Sequence, residues 1–175
     1  MTHTLPPPRL LQPADAAAYK RLRDEMLAAF PQAFTSDAET ESLRPAESYA
    51  ERLRAGPGGF TLGILQGEDL LGALTCQLPP RAKERHLGHL VAMMVSPAHQ
   101  GRGLGRQLLA ATVAQARQHT GLLQLTLSVT RGNDAAVKLY EQAGFQTYGC
   151  LPAAVRLADG QLFDKLLMRL PLDGA

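Results

Sequence analysis

The sequence predicts an α/β domain, on three observations. The apolar run Leu90-Val91-Ala92-Met93-Met94-Val95 stops at Ser96-Pro97, passes through a glycine-rich turn and continues into Leu104, Leu108, Leu109 and Val113 at helical spacing. That is the pattern of a buried strand, a turn and a helix. Residues 60–66 and 70–78 run apolar or alternate on either side of Gly67-Glu68-Asp69, as in a β-hairpin. Tyr19, Leu22, Met26, Leu27 and Phe30 recur at i, i+3, i+4, which gives an amphipathic helix.

The remaining elements follow in order. Residues 1–8, rich in proline, read as a flexible tail, and residues 9–172 as one domain. Residues 9–12 can form an edge strand. Pro13-Ala14-Asp15 opens the first helix with Asp15 as its cap, and Pro31 ends it. Residues 32–45 are polar and acidic, with Asp37, Glu39 and Glu41 close together. A short helix over 45–54 turns Tyr49 and Leu53 inward. Gly56-Pro57-Gly58-Gly59 is a turn, and residues 79–86 form a connection carrying Arg81, Lys83 and Arg85. Residues 122–129 read as a further buried strand, and Gly144 as a C-cap. Residues 145–151 and 161–170 read as strands joined around Asp159-Gly160.

Composition narrows the functional classes. At 175 residues the prior is one domain, and 45% hydrophobic with 19% charged residues fits a globular core. With 18 basic against 16 acidic residues the charge is too balanced to argue for nucleic acid. Cys76 and Cys150 form no CxxC, which points to a reducing compartment rather than a disulfide framework or a zinc site. No signal peptide and no membrane-length apolar run is legible, so the expected location is the cytoplasm, with no membrane partner and no metal.

The glycine turn Gln100-Gly101-Arg102-Gly103-Leu104-Gly105 carries the chemistry. The first N–H groups of a helix have no intrahelical acceptor, and the helix dipole adds positive potential there. Glycines let an anion approach the main chain closely, so the turn is a cradle for a pyrophosphate, with Arg102 and Arg106 at its rim. A Walker A loop would need Gly-Lys-Ser/Thr, and no Lys-Ser or Lys-Thr occurs. A dinucleotide fingerprint would need a glycine at Arg106 or Leu108.

The turn resembles the signature of the GNAT superfamily of N-acetyltransferases, Gln/Arg-x-x-Gly-x-Gly/Ala after a strand ending Val-x-Pro, here Val95-Ser96-Pro97 followed by residues 100–105. A second element matches downstream: Asn133, Ala136, Leu139-Tyr140 and Gly144-Phe145 resemble Asn-x-x-Ala-x-x-Leu-Tyr-x-x-x-Gly-Phe, which implies a helix over 133–142 followed by Gly144. The resemblance runs over residues 9–172. It implies a mixed, mostly antiparallel sheet of about six or seven strands flanked by about four helices, and acetyl-CoA as co-substrate.

By the resemblance, the strand before the glycine turn carries a bulge and splays from its neighbour, with main-chain groups of Met93, Met94 and Val95 holding the pantetheine arm. A backbone N–H near Met94 or Val95 would meet the thioester oxygen. The pyrophosphate would lie on Gln100, Gly101, Arg102, Gly103, Leu104, Gly105 and Arg106. Tyr140 matches the tyrosine that protonates the leaving sulfur, and a phenol with a pKa of about 10 reaches that step still protonated. Asn133 matches a residue that binds pantetheine or caps its helix.

The general base is where the sequence departs from better-understood members, since Ser128 stands where some carry a glutamate. His89 is the candidate base, with His86 and Glu84 behind it, and a neutral amine needs none. Asp37, Glu39 and Glu41 are the acceptor-site candidates, able to attract a cationic amine. Phe30, Phe34 and Tyr49 could line a pocket, and Asp164 contacts substrate or pairs with Lys165 or Arg169. Two function classes stand: an N-acetyltransferase acting on a primary amine of a small molecule or peptide by direct attack, and a non-catalytic acyl-CoA sensor. The acyl chain is taken as acetyl, and a homodimer is open.

Overall fold

The computed structural model describes residues 5–172. Residues 1–4 of the expected tail lie outside them. Leu5 already packs against the larger core.

The chain runs β1 (Arg9–Leu10), α1 (Ala16–Ala29), α2 (Ala38–Ser42), α3 (Ala50–Leu53), β2 (Gly59–Gln66), β3 (Asp69–Gln77), β4 (Leu87–Val95), α4 (Leu104–Arg117), β5 (Gln124–Thr130), α5 (Asp134–Gln142), β6 (Gln146–Arg156) and β7 (Leu162–Pro171). The strands form a 7-stranded sheet in the order β1-β2-β3-β4-β5-β7-β6. Only β4 and β5 pair in parallel. The expected mixed, mostly antiparallel sheet is therefore present. One helix more than expected arises in the acidic stretch, where the Asp37 carboxylate accepts the Thr40 N–H at 3.0 Å and caps α2. Asp15 does not cap its own helix: it accepts the Gln12 N–H at 2.7 Å and pairs with Arg9, closing a 3₁₀ turn ahead of α1. Gly144, at φ 95, ends α5 with the Gly144 N–H on the Glu141 carbonyl and the Phe145 N–H on that of Tyr140.

The sheet is covered on both faces. On one, Leu104, Leu108, Leu109 and Val113 of α4 pack on Phe60, Leu62, Ile64 and Leu125. On the other, Tyr19, Leu22 and Met26 of α1 pack with Tyr49, Leu53, Ala73 and Met94. Strand β4 changes face allegiance midway. Leu90 belongs to the α4 side, yet so do Met93 and Val95, while Met94 turns to α1. A strand alternates with period two, so this requires one inserted residue. The insertion is visible as a register shift, with Val91 opposite Thr75 but Met94 opposite Ala73, and as φ 53 at Ala92.

The bulge coincides with a separation in the sheet. β4 and β5 pair only at Leu87, Gly88 and His89 against Gln124, Leu125 and Thr126. Beyond that point β4 goes on with β3 and β5 with β7, and a cleft opens between them. Among the described residues no helix is long and apolar enough to cross a membrane.

Candidate active site

The cleft has a volume of about 1000 Å³. Met93 and Val95 of β4 form its floor, the glycine turn and the start of α4 one end, Asn133, Ala136 and Leu139 of α5 a wall, and Phe30, Phe34 and Phe163 the opposite end.

The floor offers main-chain groups. The Ser96 N–H donates to the Leu71 carbonyl at 2.9 Å, toward β3. Val95 therefore presents its N–H and C=O to the other edge, where β5 has withdrawn. Its carbonyl is taken by the Gln100 side-chain amide at 3.2 Å. Gln100 thus folds the turn back onto the strand it follows.

The turn itself needs glycine for conformation rather than room. Gly101 and Gly103 have φ 75 and 81, left-handed values that a side chain resists, while a Cβ on either would project into open space. Gly103 caps α4, its carbonyl accepting the Gln107 N–H at 3.1 Å, so the amides of Leu104, Gly105 and Arg106 have no acceptor within the helix. At Gly105 the requirement is space, since a Cβ would lie 3.3 Å from Leu139 of α5. Arg106 donates to the Gln142 side chain at 3.3 Å, and Lys138 stands on the same wall. Main-chain donors, a helix N-terminus and these cations suit a pyrophosphate.

Asn133 lines the cleft and is the cap of α5, its side-chain oxygen accepting the Ala136 N–H at 3.3 Å. The cap uses the oxygen only, leaving the amide N–H groups for a ligand. Tyr140 lies one residue beyond the cleft-lining Leu139. It is 7% exposed, its ring edge-on to Phe145 at 5.9 Å, and burial pushes its phenol up to about 12.

Other candidates fall elsewhere. The Met94 side chain is fully buried under α1, so that residue can serve a ligand only through its main chain. Arg102 is exposed and does not line the cleft. His89 sits where β4 and β5 are still paired, its Nδ1 2.5 Å from Thr126 Oγ1, and is not a cleft residue. That placement speaks against a base acting from His89.

The acidic residues are not cleft residues either. Asp37 is spent as a helix cap. Glu41 is 7% exposed, with Oε2 2.6 Å from Arg23 Nε and 2.7 Å from the Tyr49 hydroxyl, and Oε1 3.2 Å from Arg44. Burial alone would raise its pKa, but bonds from Arg23 and Tyr49 outweigh that and hold it low. Both oxygens are committed to α1 and its neighbours, so Glu41 is part of the frame. Glu39 is exposed, outside the cleft. Tyr49 is in the core against Tyr19, whereas Phe30 and Phe34 do line the cleft.

Residues 31–36 cross the mouth as a strap. Thr130 Oγ1 donates to the Gln32 carbonyl at 2.7 Å, Lys165 Nζ to Thr35 Oγ1 at 2.7 Å, and Arg23 to Ser36 Oγ at 2.8 Å. Asp164 pairs with Arg131 at 3.3 Å and accepts the Ala153 N–H at 3.0 Å, rather than pairing with Lys165 or Arg169. Thr130, Arg131, Lys138 and Phe163 were not singled out from the sequence. Arg131 and Lys138 flank or sit inside the Asn133–Phe145 element, which was the available signal.

Comparison with known proteins gives a consistent picture. The model of the Acetyltransferase (GNAT) family matches residues 19–145. The mycothiol acetyltransferase of Salinispora tropica is 32% identical over 149 residues, 83% of this chain and 48% of that protein. The chain thus spans about half the length of the mycothiol acetyltransferases it matches. A GNAT-family acetyltransferase from Streptococcus pneumoniae superimposes with a TM-score of 0.82 at 25% identity, covering 94% of this chain and 98% of that one. The structure of yncA from Salmonella typhimurium with acetyl-CoA has the same fold, with a TM-score of 0.84 at 22% identity over 98% of this chain and 96% of that one.

Proposed function

The chain belongs to the GNAT acetyltransferase family, and from that premise we propose that it transfers an acetyl group from acetyl-CoA to a primary amine of a small molecule or peptide. The observation that carries the reading is the cleft between β4 and β5, with Val95 main-chain groups on its floor and the open Gly101–Gly103 cradle at its end. Both fit a long ligand with a pyrophosphate at one end and an acyl thioester at the other. The names of the mycothiol acetyltransferases and of the Streptococcus pneumoniae acetyltransferase support it. The expected cytoplasmic setting accords with unpaired cysteines, Cys76 buried and Cys150 exposed.

Acetyl-CoA supplies an acyl carbon activated by sulfur: the amine nitrogen bonds to it, the C–S bond breaks, and the proton lost by nitrogen balances the one gained by the thiolate. The chain contributes position and charge. Amides of Leu104, Gly105 and Arg106 hold the pyrophosphate, with Arg106 and Lys138 neutralising it. The Val95 N–H stabilises negative charge developing on the carbonyl oxygen. Tyr140, one residue past the wall, keeps its proton to about pH 12 and can donate it in a hydrogen bond to the departing sulfur. His89 and Glu41 take no part. An acceptor that arrives as the free amine needs no base from the chain.

Calorimetric titration with acetyl-CoA, followed by a thiol-release screen over amines, tests the proposal. Binding with turnover on an amine class is expected. Binding with silence on every amine would favour the acyl-CoA sensor, and absence of binding would overturn the site.

A further inference from the structure

The acceptor end of the cleft has a chemical character of its own. Its walls are Met26, Phe30, Ala33, Phe34 and Phe163, and among the described residues no aspartate or glutamate lines the cleft. The carboxylates expected to attract a cationic amine are turned elsewhere: Glu41 into its pair with Arg23, Asp37 into the cap of α2. A polyamine or aminoglycoside would bury charge against aromatic rings with no counter-ion, which is costly.

What the acceptor end does offer is positive charge. Arg131 lines the cleft between Thr130, which bonds the strap, and Asn133. Its N–H donates to the Asp164 carbonyl at 2.9 Å, and its guanidinium reaches the Asp164 carboxylate at 3.3 Å. Arg131 is thereby tied to β7, at the end remote from the cradle, whereas Arg106 and Lys138 stand by the glycine turn and α5. The contact with Asp164 is a single one from Nη1, on a side chain 65% exposed, so the guanidinium retains free donors. Lys165 adds a second cation beside the strap, on Thr35. With the CoA phosphates set against Arg106 and Lys138, the acceptor end keeps an excess of positive charge.

We propose, building on the acetyltransferase reading, that the acceptor is an amino-acid-like amine: a primary amine with a carboxylate beside it and an uncharged apolar side chain. Arg131 holds the carboxylate, in place of or alongside Asp164, and Phe30, Phe34 and Phe163 receive the side chain. The amine then faces the β4 floor. A planar guanidinium suits this work because it binds a carboxylate through two parallel N–H groups. Arg131 thus sets specificity, and its contribution should appear in the KM of the acceptor.

The test compares kcat/KM for L-methionine, L-methioninamide and spermidine by thiol release, with acetyl-CoA affinity measured in parallel by calorimetry. Methionine should exceed its amide by about tenfold, the effect of a charge-assisted bond, and spermidine should be the poorest. Arg131→Gln should bring the methionine-to-methioninamide ratio close to one, through KM, with acetyl-CoA affinity unchanged. Asp164→Asn, which keeps an oxygen for the Ala153 N–H but removes the competing charge, should lower the KM for methionine. If the amide or spermidine is used as well as methionine, if methionine is not acetylated, or if Arg131→Gln leaves the ratio intact, the proposal fails. Intact acetyl-CoA binding in those cases leaves the acetyltransferase reading standing. Loss of acetyl-CoA binding by the native protein removes both.

Discussion

At the end of the cleft built by the glycine turn, what faces a ligand is main chain, the amides that open α4 beyond Gly101 and Gly103. At the opposite end it is side chains, Phe34 of the strap with Phe30 just before it, Arg131 just after β5 and Phe163 of β7. The first end comes from one short stretch of sequence. The second is assembled by hydrogen bonds between residues far apart, Thr130 with Gln32 and Lys165 with Thr35. A backbone cradle is specified by where glycine is tolerated and binds whatever carries phosphate. A side-chain pocket can change its ligand without changing the fold. This division suits a protein that keeps one donor and chooses its own acceptor.

The division predicts that damage at one end spares the other. The largest effect is expected in the frame of the acceptor end. Arg23 and Glu41 are 4% and 7% exposed, and Arg23→Met would strand a buried carboxylate. Stability should fall by about 3 kcal/mol, the low end for breaking a buried pair because Arg44 still reaches Glu41. Chemical denaturation would measure it, and a loss below about 1 kcal/mol would mean that the pair is not what pins α2 to α1. The pair also sets a pH dependence. Glu41 has a lowered pKa in the folded chain, so its contribution is present above the unfolded value and is lost as pH falls through the folded one. Native protein should therefore lose stability on acidification more steeply than Glu41→Gln.

At the cradle, Gly103→Glu should weaken acetyl-CoA binding by at least about 10²-fold. It combines a strained left-handed residue with a negative charge facing a pyrophosphate. Because a Cβ there meets nothing, the fold should survive, and thermal melting can verify this separately from calorimetry. Unchanged affinity would remove the cradle from the binding site.

These two ends differ equally in how they could be read from sequence. The strand, the turn and α4 were legible because local chemistry dictates them: an apolar run, a proline stop, glycines at left-handed φ, leucines at helical spacing. Asn133 and Gly144 were legible as caps for the same reason. Glu41 reads as a free acid in the sequence because its burial depends on Arg23 and Tyr49, which only the packing of α1 against α2 and the 3₁₀ turn ahead of α3 brings to it. His89 looked available because sequence does not tell that β4 and β5 are still paired at that residue. Arg131 gives no signal in the sequence, since an arginine in a loop carries no period and no motif of its own.

Tyr140 belongs to both descriptions, lying within the Asn133–Phe145 element but in the core by burial. Tyr140→Phe should lower kcat by about 10²-fold if the hydroxyl serves the departing sulfur. Acetyl-CoA affinity and stability should barely move, since the ring packs as before against Phe145. An unaltered kcat would reduce Tyr140 to a core residue and return the cleft to main-chain chemistry alone.

The smallest expected effect isolates the strap. Thr130 is 3% exposed, and its hydroxyl donates to the Gln32 carbonyl at 2.7 Å. Thr130→Val keeps the shape and removes that bond, leaving the carbonyl to water, at a cost of about 1 kcal/mol. The strap carries Phe34 and is still held by Lys165 on Thr35 and Arg23 on Ser36. It should loosen rather than open, raising the acceptor KM a few-fold. Acetyl-CoA affinity should stay as it was, because effects at separate sites that share no partners remain independent. If acetyl-CoA affinity fell by the same factor, the two ends would be coupled through the sheet, and the contrast between a backbone cradle and a side-chain pocket would be one of composition alone.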